Sequence, residues 1–241
     1  MKLDVFFSAG SFQEDELRNK AVVVIDVLRA SSTIVTALMN GARGVIPVGD
    51  MGEASKISQN VDSDNYLLCG EKDGMKIQGY DLGNSPQEYS PEVVEGKTLI
   101  FNTTNGTKAI KKSQGSANIY IASFLNLNAV AEALKKEQHD IVLVCAGWKG
   151  RLSLEDTLLA GNIVHLLNNG RLNEDATDGT KVAFGIYEKY GSDIASNIHN
   201  SNHATRLKNI IGNGDIDYCC QIDIYDQVPL LKEGIITIQH G

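Results

Sequence analysis

The chain has 241 residues, of which 42% are hydrophobic and 22% charged, and its formal net charge at pH 7 is −8. This length allows one large α/β domain or two small ones with a substantial core. The acidic balance argues against nucleic acid as a partner. No apolar stretch approaches the roughly 18 to 20 residues of a membrane-spanning helix, which argues against a membrane protein.

The predicted elements alternate between strands and helices. In chain order they are a strand over 2–7, a strand over 21–28, a helix over 31–41, a strand over 44–48, a helix over 51–59, a strand over 66–69, a helix starting at 85–88, a strand over 98–102, a helix over 106–114, a strand over 119–122, a helix over 126–137, a strand over 141–145, helices over 153–168, 176–190 and 192–211, and a strand over 235–238. This order implies an α/β fold with three layers, α/β/α, around a largely parallel or mixed sheet. We predict one α/β unit over 1–241. Any division into two lobes, with the site between them, would fall near 115–118 or 172–180.

The first strand and the cysteines indicate a cytoplasmic protein. Asp4 interrupts the apolar segment that a signal peptide would continue. The four cysteines show no CxxC spacing, which favours free thiols in a reducing compartment. The five histidines also lack the spacing of a structural zinc site.

Three strand-to-helix turns are polar and rich in glycine or hydroxyl groups. They are Arg29–Thr33, Asn102–Thr107 and Cys145–Asp156. A strand that feeds a helix through a short loop presents free backbone N–H groups, which suit an anion. Parallel strands bring such loops to one rim of the sheet, where open α/β sheets bind ligands. The three loops therefore predict a site for a phosphorylated small molecule.

The first turn carries an acid, a cation and two hydroxyls. Asp26 ends a β-branched strand, where a carboxylate can hold a divalent metal or accept a phosphoryl group. Arg29 offers a planar fork for phosphate or sulfonate, and Ser31 and Ser32 can donate at the helix start. The same letters also fit a surface Asp–Arg pair beside a serine cap.

The second turn, Thr103–Thr107, concentrates hydrogen-bond donors in five positions. Three hydroxyls and several N–H groups could converge there as an oxyanion cradle. A turn capped by threonine explains the same residues without a ligand.

The third turn contains Cys145 and Arg151 at the C-x5-R spacing of cysteine-dependent phosphatases. That chemistry needs a thiolate ringed by N–H groups, with the arginine on the phosphate. No histidine directly precedes Cys145, and a small buried cysteine at a strand end is the commoner case.

Four acids and one histidine complete the candidate groups. Glu155 and Asp156 could complement a helix dipole, or could join Asp26 and Glu71 in an oxygen-ligand site for Mg²⁺. His203 could protonate a leaving group, or could be an ordinary packed or exposed helical histidine.

Taken together, these segments resemble the 2-phosphosulfolactate phosphatase family over almost the whole chain. The matching stretches are Val24–Ser31, Gly70-Glu71, Gly79–Pro86, Thr103–Thr107, Cys145–Gly147, Ser153–Asp156, Gly161 and Ser201–Ala204. One departure is Lys72, where the family is expected to have arginine. Lysine keeps the charge but lacks the planar fork for bidentate recognition.

The resemblance implies Mg²⁺-dependent hydrolysis of (R)-2-phospho-3-sulfolactate to 3-sulfolactate and phosphate, a step of coenzyme M biosynthesis in methanogens. The expected catalytic groups are Asp26, Arg29 and His203, and the expected Mg²⁺ ligands are Asp26, Glu71, Glu155 and Asp156. The expected substrate-binding residues are Ser31, Ser32, Lys72, Asn84, Ser85, Thr103, Thr104, Asn105, Gly106, Thr107 and Gly147. Lys149 and Arg151 are further cations in the polar loops. Either water or Asp26 itself would attack phosphorus.

Three other functions remain open at this stage. Family membership does not fix the substrate, so the chain could hydrolyse another 2-hydroxy-acid phosphate. A Cys145-dependent phosphatase would work without metal, and a non-catalytic protein would bind an organic anion without releasing phosphate. The expected partner is a small anion carrying phosphate and sulfonate, and a homodimer is expected from the size and type of enzyme.

Overall fold

The computed structural model describes residues 2–59 and 65–238. Its strands are β1 Leu3–Phe6, β2 Ala21–Ile25, β3 Gly44–Pro47, β4 Tyr66–Lys72, β5 Met75–Lys76, β6 Thr98–Asn102, β7 Asn118–Ala122, β8 Ile141–Cys145, β9 Pro229–Lys232 and β10 Ile235–Ile238. Its α-helices are α1 Ala30–Met39, α2 Met51–Ser58, α3 Pro91–Val94, α4 Gly106–Lys112, α5 Leu127–Lys135, α6 Leu154–Leu167, α7 Asp178–Tyr190, α8 Ile194–His199, α9 Asn202–Ile211 and α10 Gly214–Cys219.

The strands form one mixed sheet in the order β1-β8-β2-β7-β9-β10-β3-β6-β4-β5. Strands β1, β8, β2 and β7 are parallel to one another, and so are β3, β6 and β4. The antiparallel β9–β10 hairpin joins these two parallel groups. The predicted α/β fold with three layers and a mixed sheet is confirmed.

Strand β2 explains how the layers are held together. Its five residues are all buried, and alternate side chains face opposite sides of the sheet. Val23 and Ile25 pack in the cluster that includes residues of α5, α6 and α7. Val22 and Val24 pack in a second cluster with α1 and α4, and this cluster also contains residues of β3 and β6. Helix α1 therefore packs in a core to which both parallel groups contribute.

The predicted helix over 192–211 is wrong, because the structure divides it into two. Helix α8 begins after Asp193, whose carboxylate accepts a hydrogen bond from the backbone N–H of Ser196. Helix α9 begins after Ser201, whose hydroxyl accepts from the N–H of Ala204. These side chains start new helices where the apolar pattern alone continues through.

Other elements differ more modestly from the sequence-based expectation. The helix start predicted at 85–88 is a single 3-10 turn, Pro86–Glu88, and β4 runs three residues beyond the predicted end at 69. Strand β2 ends three residues before the predicted end at 28, and helices α3 and α10 and strands β5 and β9 were not predicted. The single unit over 1–241 remains a prediction, as does a lobe boundary near 115–118 or 172–180; residues 1, 60–64 and 239–241 lie outside the described part.

The state of the cysteines and the length of the helices can be compared with the expectations from the sequence. All four cysteines are free thiols, as predicted. Across residues 2–59 and 65–238, no helix has both the length and the apolar character needed to cross a membrane.

Candidate active site

A cleft opens where the ends of β2, β4, β6 and β8 approach helix α9. Its lining combines acids, cations and amides from segments far apart in the chain. The lining residues are Asp26, Leu28, Arg29, Glu71, Asp73, Gly74, Asn84, Thr104, Asn105, Trp148, Lys149, His203, Arg206 and Leu207. All three predicted strand-to-helix loops contribute to it.

Asp26 lies at the bottom of this cleft, directly after β2, with only 8% of its surface exposed. Its backbone N–H donates to the Ser31 hydroxyl at 2.9 Å, and its Oδ1 accepts from the N–H of Ala30 at 3.3 Å. Burial raises the pKa of Asp26 to about 6, against the lowering effects of His203 and of the Ala30 N–H. No hydrogen bond from the described residues reaches Oδ2, which leaves that oxygen for a ligand.

His203 forms a second reactive group beside Asp26. Its Nδ1 lies 2.6 Å from Oε1 of Glu155, and both side chains are buried. The His203 ring stacks on Trp148, with centroids 5.2 Å apart and planes inclined by 16°. These contacts fix the ring and leave Nε2 without a hydrogen-bond partner among the described residues. The other carboxylate oxygen of Glu155, Oε2, is buried without a hydrogen-bond partner.

Asp156 organises the loops that surround Asp26. Its Oδ1 accepts from the N–H of Val27 at 2.8 Å, and its Oδ2 accepts from the N–H of Gly147 at 3.0 Å. Burial, followed by the charges of Asp26 and Glu155, raises the pKa of Asp156 well above its usual value. Gly147 itself has φ +70°, a conformation that favours glycine. Asp156 therefore joins the first and third loops through their backbones.

Glu71 holds the second loop by accepting hydrogen bonds from backbone N–H groups, as Asp156 does for the first and third loops. Its Oε1 accepts from the N–H of Thr104 at 2.7 Å, and its Oε2 accepts from the N–H of Gly74 at 2.6 Å. The Thr104 hydroxyl in turn accepts from the N–H of Asp73 at 3.2 Å. Two of the four predicted metal ligands, Glu71 and Asp156, thus have both carboxylate oxygens on backbone N–H groups.

Arg29 is held by a partner that the sequence pattern did not indicate. Its Nη1 donates to Oδ2 of Asp215 at 2.6 Å, and its Nη2 donates to the carbonyl oxygen of Gly74 at 2.9 Å. The other oxygen of Asp215 accepts from the Ser85 hydroxyl at 2.5 Å. Ser85 therefore borders an adjoining cleft beside Asp215 and does not line the main one.

Four of the predicted phosphate-binding hydroxyls stabilise their own loops. Ser32 donates to the carbonyl oxygen of Val27 at 2.9 Å. Thr107 donates to the carbonyl oxygen of Thr103, and the Thr103 hydroxyl accepts from the N–H of Thr107. Ser31, which accepts from Asp26, is also absent from the cleft lining. These residues shape the site without lining it.

The other predicted substrate-binding residues divide between lining and non-lining positions. Asn84, Thr104 and Asn105 line the cleft, and the side-chain oxygen of Asn84 is buried without a hydrogen-bond partner. Lys72 and Arg151 are exposed and are not among the lining residues.

Gly106 lets the second loop approach the first. A Cβ atom at this position would lie 2.4 Å from Cβ of Ala30 and 2.7 Å from Oδ2 of Asp26. Neither neighbour belongs to a long, flexible side chain, so the helix starts of α1 and α4 would have to separate. Gly106 thus keeps the two loops in contact around the Asp26 carboxylate.

We expect Gly106→Ala to lower the free energy of unfolding by about 1–3 kcal/mol and to impair turnover, because the added methyl group overpacks this contact. Urea unfolding and steady-state rates would measure both effects. Gly115→Ala is the matched control, since a Cβ there meets no atom within 4 Å. Equal stability and equal rates for both variants would show that the loops do not need this close approach.

Cys145 is placed in the core. It is fully buried among residues of α5, α6 and neighbouring strands, and does not line the cleft. Burial, followed by the charges of Asp156 and Glu155, raises the pKa of the Cys145 thiol well above its usual value. A buried, protonated thiol is a poor nucleophile, which argues against a Cys145-dependent phosphatase.

Seven lining residues of the cleft lie outside the predicted catalytic, substrate-binding and metal-ligand sets, although Lys149 was noted as a cation of the third loop: Leu28, Asp73, Gly74, Trp148, Lys149, Arg206 and Leu207. Trp148 and Lys149 come from the loop after β8, and Arg206 lies on α9, one turn beyond His203. The Lys149 ammonium lies 4.9 Å from the centre of the Trp148 ring. The i, i+3 spacing of His203 and Arg206 on one helix was the available signal for Arg206.

The acids do not by themselves form a closed metal cage. Within the described residues, no three His, Cys, Asp or Glu side chains are grouped so that they could hold a metal ion. Among the four predicted metal ligands, the carboxylate oxygens without a hydrogen-bond partner in the described residues are Oδ2 of Asp26 and Oε2 of Glu155. Two carboxylates fit Mg²⁺, which commonly keeps several waters and takes the rest of its shell from substrate phosphate.

The comparison with known proteins decides the family. The family model described as 2-phosphosulpholactate phosphatase matches residues 6–234. The chain belongs to the 2-phosphosulfolactate phosphatase family. It is 42% identical over 236 residues to a "Probable 2-phosphosulfolactate phosphatase" of Caldanaerobacter subterraneus subsp. tengcongensis, covering 98% of each chain. It is also 46% identical over 220 residues to the protein of the same name from Thermotoga maritima, covering 91% of this chain and 92% of the relative.

Membership of the 2-phosphosulfolactate phosphatase family confirms the resemblance read from the motifs. The match includes Asp26, His203 and the loops that form the cleft, since all lie within residues 6–234. The individual roles of these residues rest on the geometry described above.

Proposed function

We propose that this chain is a Mg²⁺-dependent phosphatase that hydrolyses (R)-2-phospho-3-sulfolactate to 3-sulfolactate and phosphate. One observation carries the proposal. In the cleft of this chain, Asp26 has a carboxylate oxygen without a hydrogen-bond partner, and the hydrogen-bonded pair of His203 and Glu155 lies beside it. Phosphoryl transfer depends mostly on positioning and charge stabilisation, and loops held on a rigid sheet can supply both.

Asp26 and Glu155 are the residues that would hold Mg²⁺, because they retain carboxylate oxygens without hydrogen-bond partners. When bound, the metal supplies stabilisation of negative charge on the phosphoryl oxygens. Glu71 and Asp156 support this site indirectly, since their oxygens hold the backbone of all three loops.

The remaining steps belong to the side chains of the cleft. Arg29 lies in the same cleft as Asp26, and its ion pair with Asp215 fixes its position there. His203, oriented by Glu155 and Trp148, donates a proton to the ester oxygen as the sulfolactate group leaves. Water attacks phosphorus; one of its protons stays on the released hydrogen phosphate, and the other replaces the proton that His203 donated, so that one ester and one water give one alcohol and one phosphate.

The alternatives differ in what they predict. A non-catalytic anion-binding protein would not need the free carboxylate oxygen of Asp26 in a cleft that binds negative charge, because a carboxylate repels a bare anion. A phosphatase for another 2-hydroxy-acid phosphate would use the same reactive groups. We further propose a cytoplasmic homodimer acting on a free small molecule.

The substrate is tested by comparing kcat/KM for racemic 2-phosphosulfolactate, 2-phospholactate and p-nitrophenyl phosphate in Mg²⁺. We expect 2-phosphosulfolactate to be preferred by about tenfold or more over 2-phospholactate, because the latter lacks one charged group. Equal or reversed values would assign the enzyme to another 2-hydroxy-acid phosphate.

A further inference from the structure

The cations that line the cleft differ in their pairing. Arg29 is 4% exposed and its charge is balanced by Asp215 at 2.6 Å. Lys149 and Arg206 form no ion pair with a carboxylate anywhere in residues 2–59 and 65–238. The cleft therefore has one deep, neutralised cation and two cations whose charge is available to a ligand.

Lys149 and Arg206 both lie on the side of the cleft that carries His203. Lys149 lies over the Trp148 ring, which stacks on His203. Arg206 follows His203 on α9, and its Nη2 donates to the carbonyl oxygen of Asp73 at 2.8 Å. Lys149 is exposed and Arg206 half-buried, so both lie nearer the mouth of the cleft than Arg29 and Asp26.

The substrate has charged groups at two distances from phosphorus. Its carboxylate is bonded to the carbon that carries the phosphoester, whereas its sulfonate is one methylene farther away. If the phosphate lies at Asp26, the sulfonate can reach farther towards the mouth of the cleft than the carboxylate, because it is one methylene farther from phosphorus. A sulfonate is a strong acid that remains ionised and accepts several hydrogen bonds, which suits an ammonium and a guanidinium together.

We propose that Lys149 and Arg206 bind the sulfonate and thereby select 2-phosphosulfolactate over 2-hydroxy-acid phosphates without that group. This assignment rests on the proposed function of the cleft. Lys72, which the resemblance implied as a substrate-binding residue, is exposed and does not line the cleft.

The test compares Lys149→Gln and Arg206→Gln with the wild-type protein on 2-phosphosulfolactate and 2-phospholactate. We expect each variant to lower the ratio of the two kcat/KM values by about tenfold or more, as loss of a charge-assisted hydrogen bond predicts. Arg151→Gln is the matched control, because Arg151 is in the same loop as Lys149 but is exposed and does not line the cleft. Its ratio should equal that of the wild type.

A binding measurement separates this assignment from the phosphatase activity itself. Calorimetric titration with 3-sulfolactate, and with lactate for comparison, should show about tenfold weaker binding of 3-sulfolactate to each variant. The assignment would be overturned if the variants kept the wild-type ratio of the two kcat/KM values, even with an equal loss on both substrates. Unchanged binding of 3-sulfolactate would also overturn it. If the wild type releases no phosphate yet binds 3-sulfolactate through Lys149 and Arg206, the phosphatase proposal fails and the sulfonate site stands.

Discussion

Asp26→Asn should lower kcat by about 10³-fold or more while the protein remains folded, because the substitution removes the charge on the free oxygen at the bottom of the cleft. Asparagine has nearly the same shape and can still accept from the N–H of Ala30 through Oδ1. Steady-state phosphate release at saturating substrate and Mg²⁺ measures the loss. Asp226→Asn, at an exposed position, is the control and should behave as the wild type.

The same variant should be at least as stable as the wild type in metal-free buffer. Burial raises the pKa of Asp26 from 3.8 to about 6, so ionisation of this group disfavours the folded state. The cost is absent below pH 3.8 and grows as the pH rises to about 6. Above that pH we expect the free energy of unfolding of Asp26→Asn, measured in urea, to exceed that of the wild type by about 1–3 kcal/mol.

For the activity measurement, a kcat of Asp26→Asn within about tenfold of the wild-type value would remove Asp26 from the reaction.

His203→Gln should lower kcat by about 10²-fold, with a smaller change in KM, because a positioned general acid contributes on this scale. The ring is fixed by Glu155 at 2.6 Å and by stacking on Trp148, so its proton would be delivered from a defined position. His199→Gln is the control, since His199 pairs with Asp217 outside the cleft.

The choice of leaving group distinguishes proton donation by His203 from a purely structural role. p-Nitrophenolate leaves without protonation, whereas the alkoxide of sulfolactate needs a proton. His203→Gln should therefore lose much less activity on p-nitrophenyl phosphate than on 2-phosphosulfolactate. Equal losses on both substrates would mean that His203 only supports the architecture of the site.

Local sequence patterns were sufficient for the framework of the site. The β-branched run of β2, buried on both faces, and the polar turn after it placed Asp26 and Arg29 correctly at the end of a central strand. The same reasoning placed all three loops at one cleft. These features depend on neighbouring residues and on the geometry of parallel strands, which the sequence expresses directly.

Features that depend on distant residues or on side-chain direction were missed. Asp215 contacts Arg29 across 186 positions of the chain and lies on α10, which has no strong helical pattern. The hydroxyls of Ser32 and Thr107 were recognised as donors, but the sequence does not state that they donate to their own loops. The sequence shows which side chains are present in a loop, but their hydrogen-bond partners depend on how the folded chain packs.

Phosphate release from racemic 2-phosphosulfolactate, measured in Mg²⁺, after EDTA and again after excess Mg²⁺ is restored, tests the central claim most directly. We predict rapid turnover that falls by about 10²-fold or more in EDTA and returns with the metal. Turnover that is unaffected by EDTA would contradict the assignment of Asp26 and Glu155 as metal-holding groups. The absence of turnover under all three conditions would contradict the phosphatase function itself.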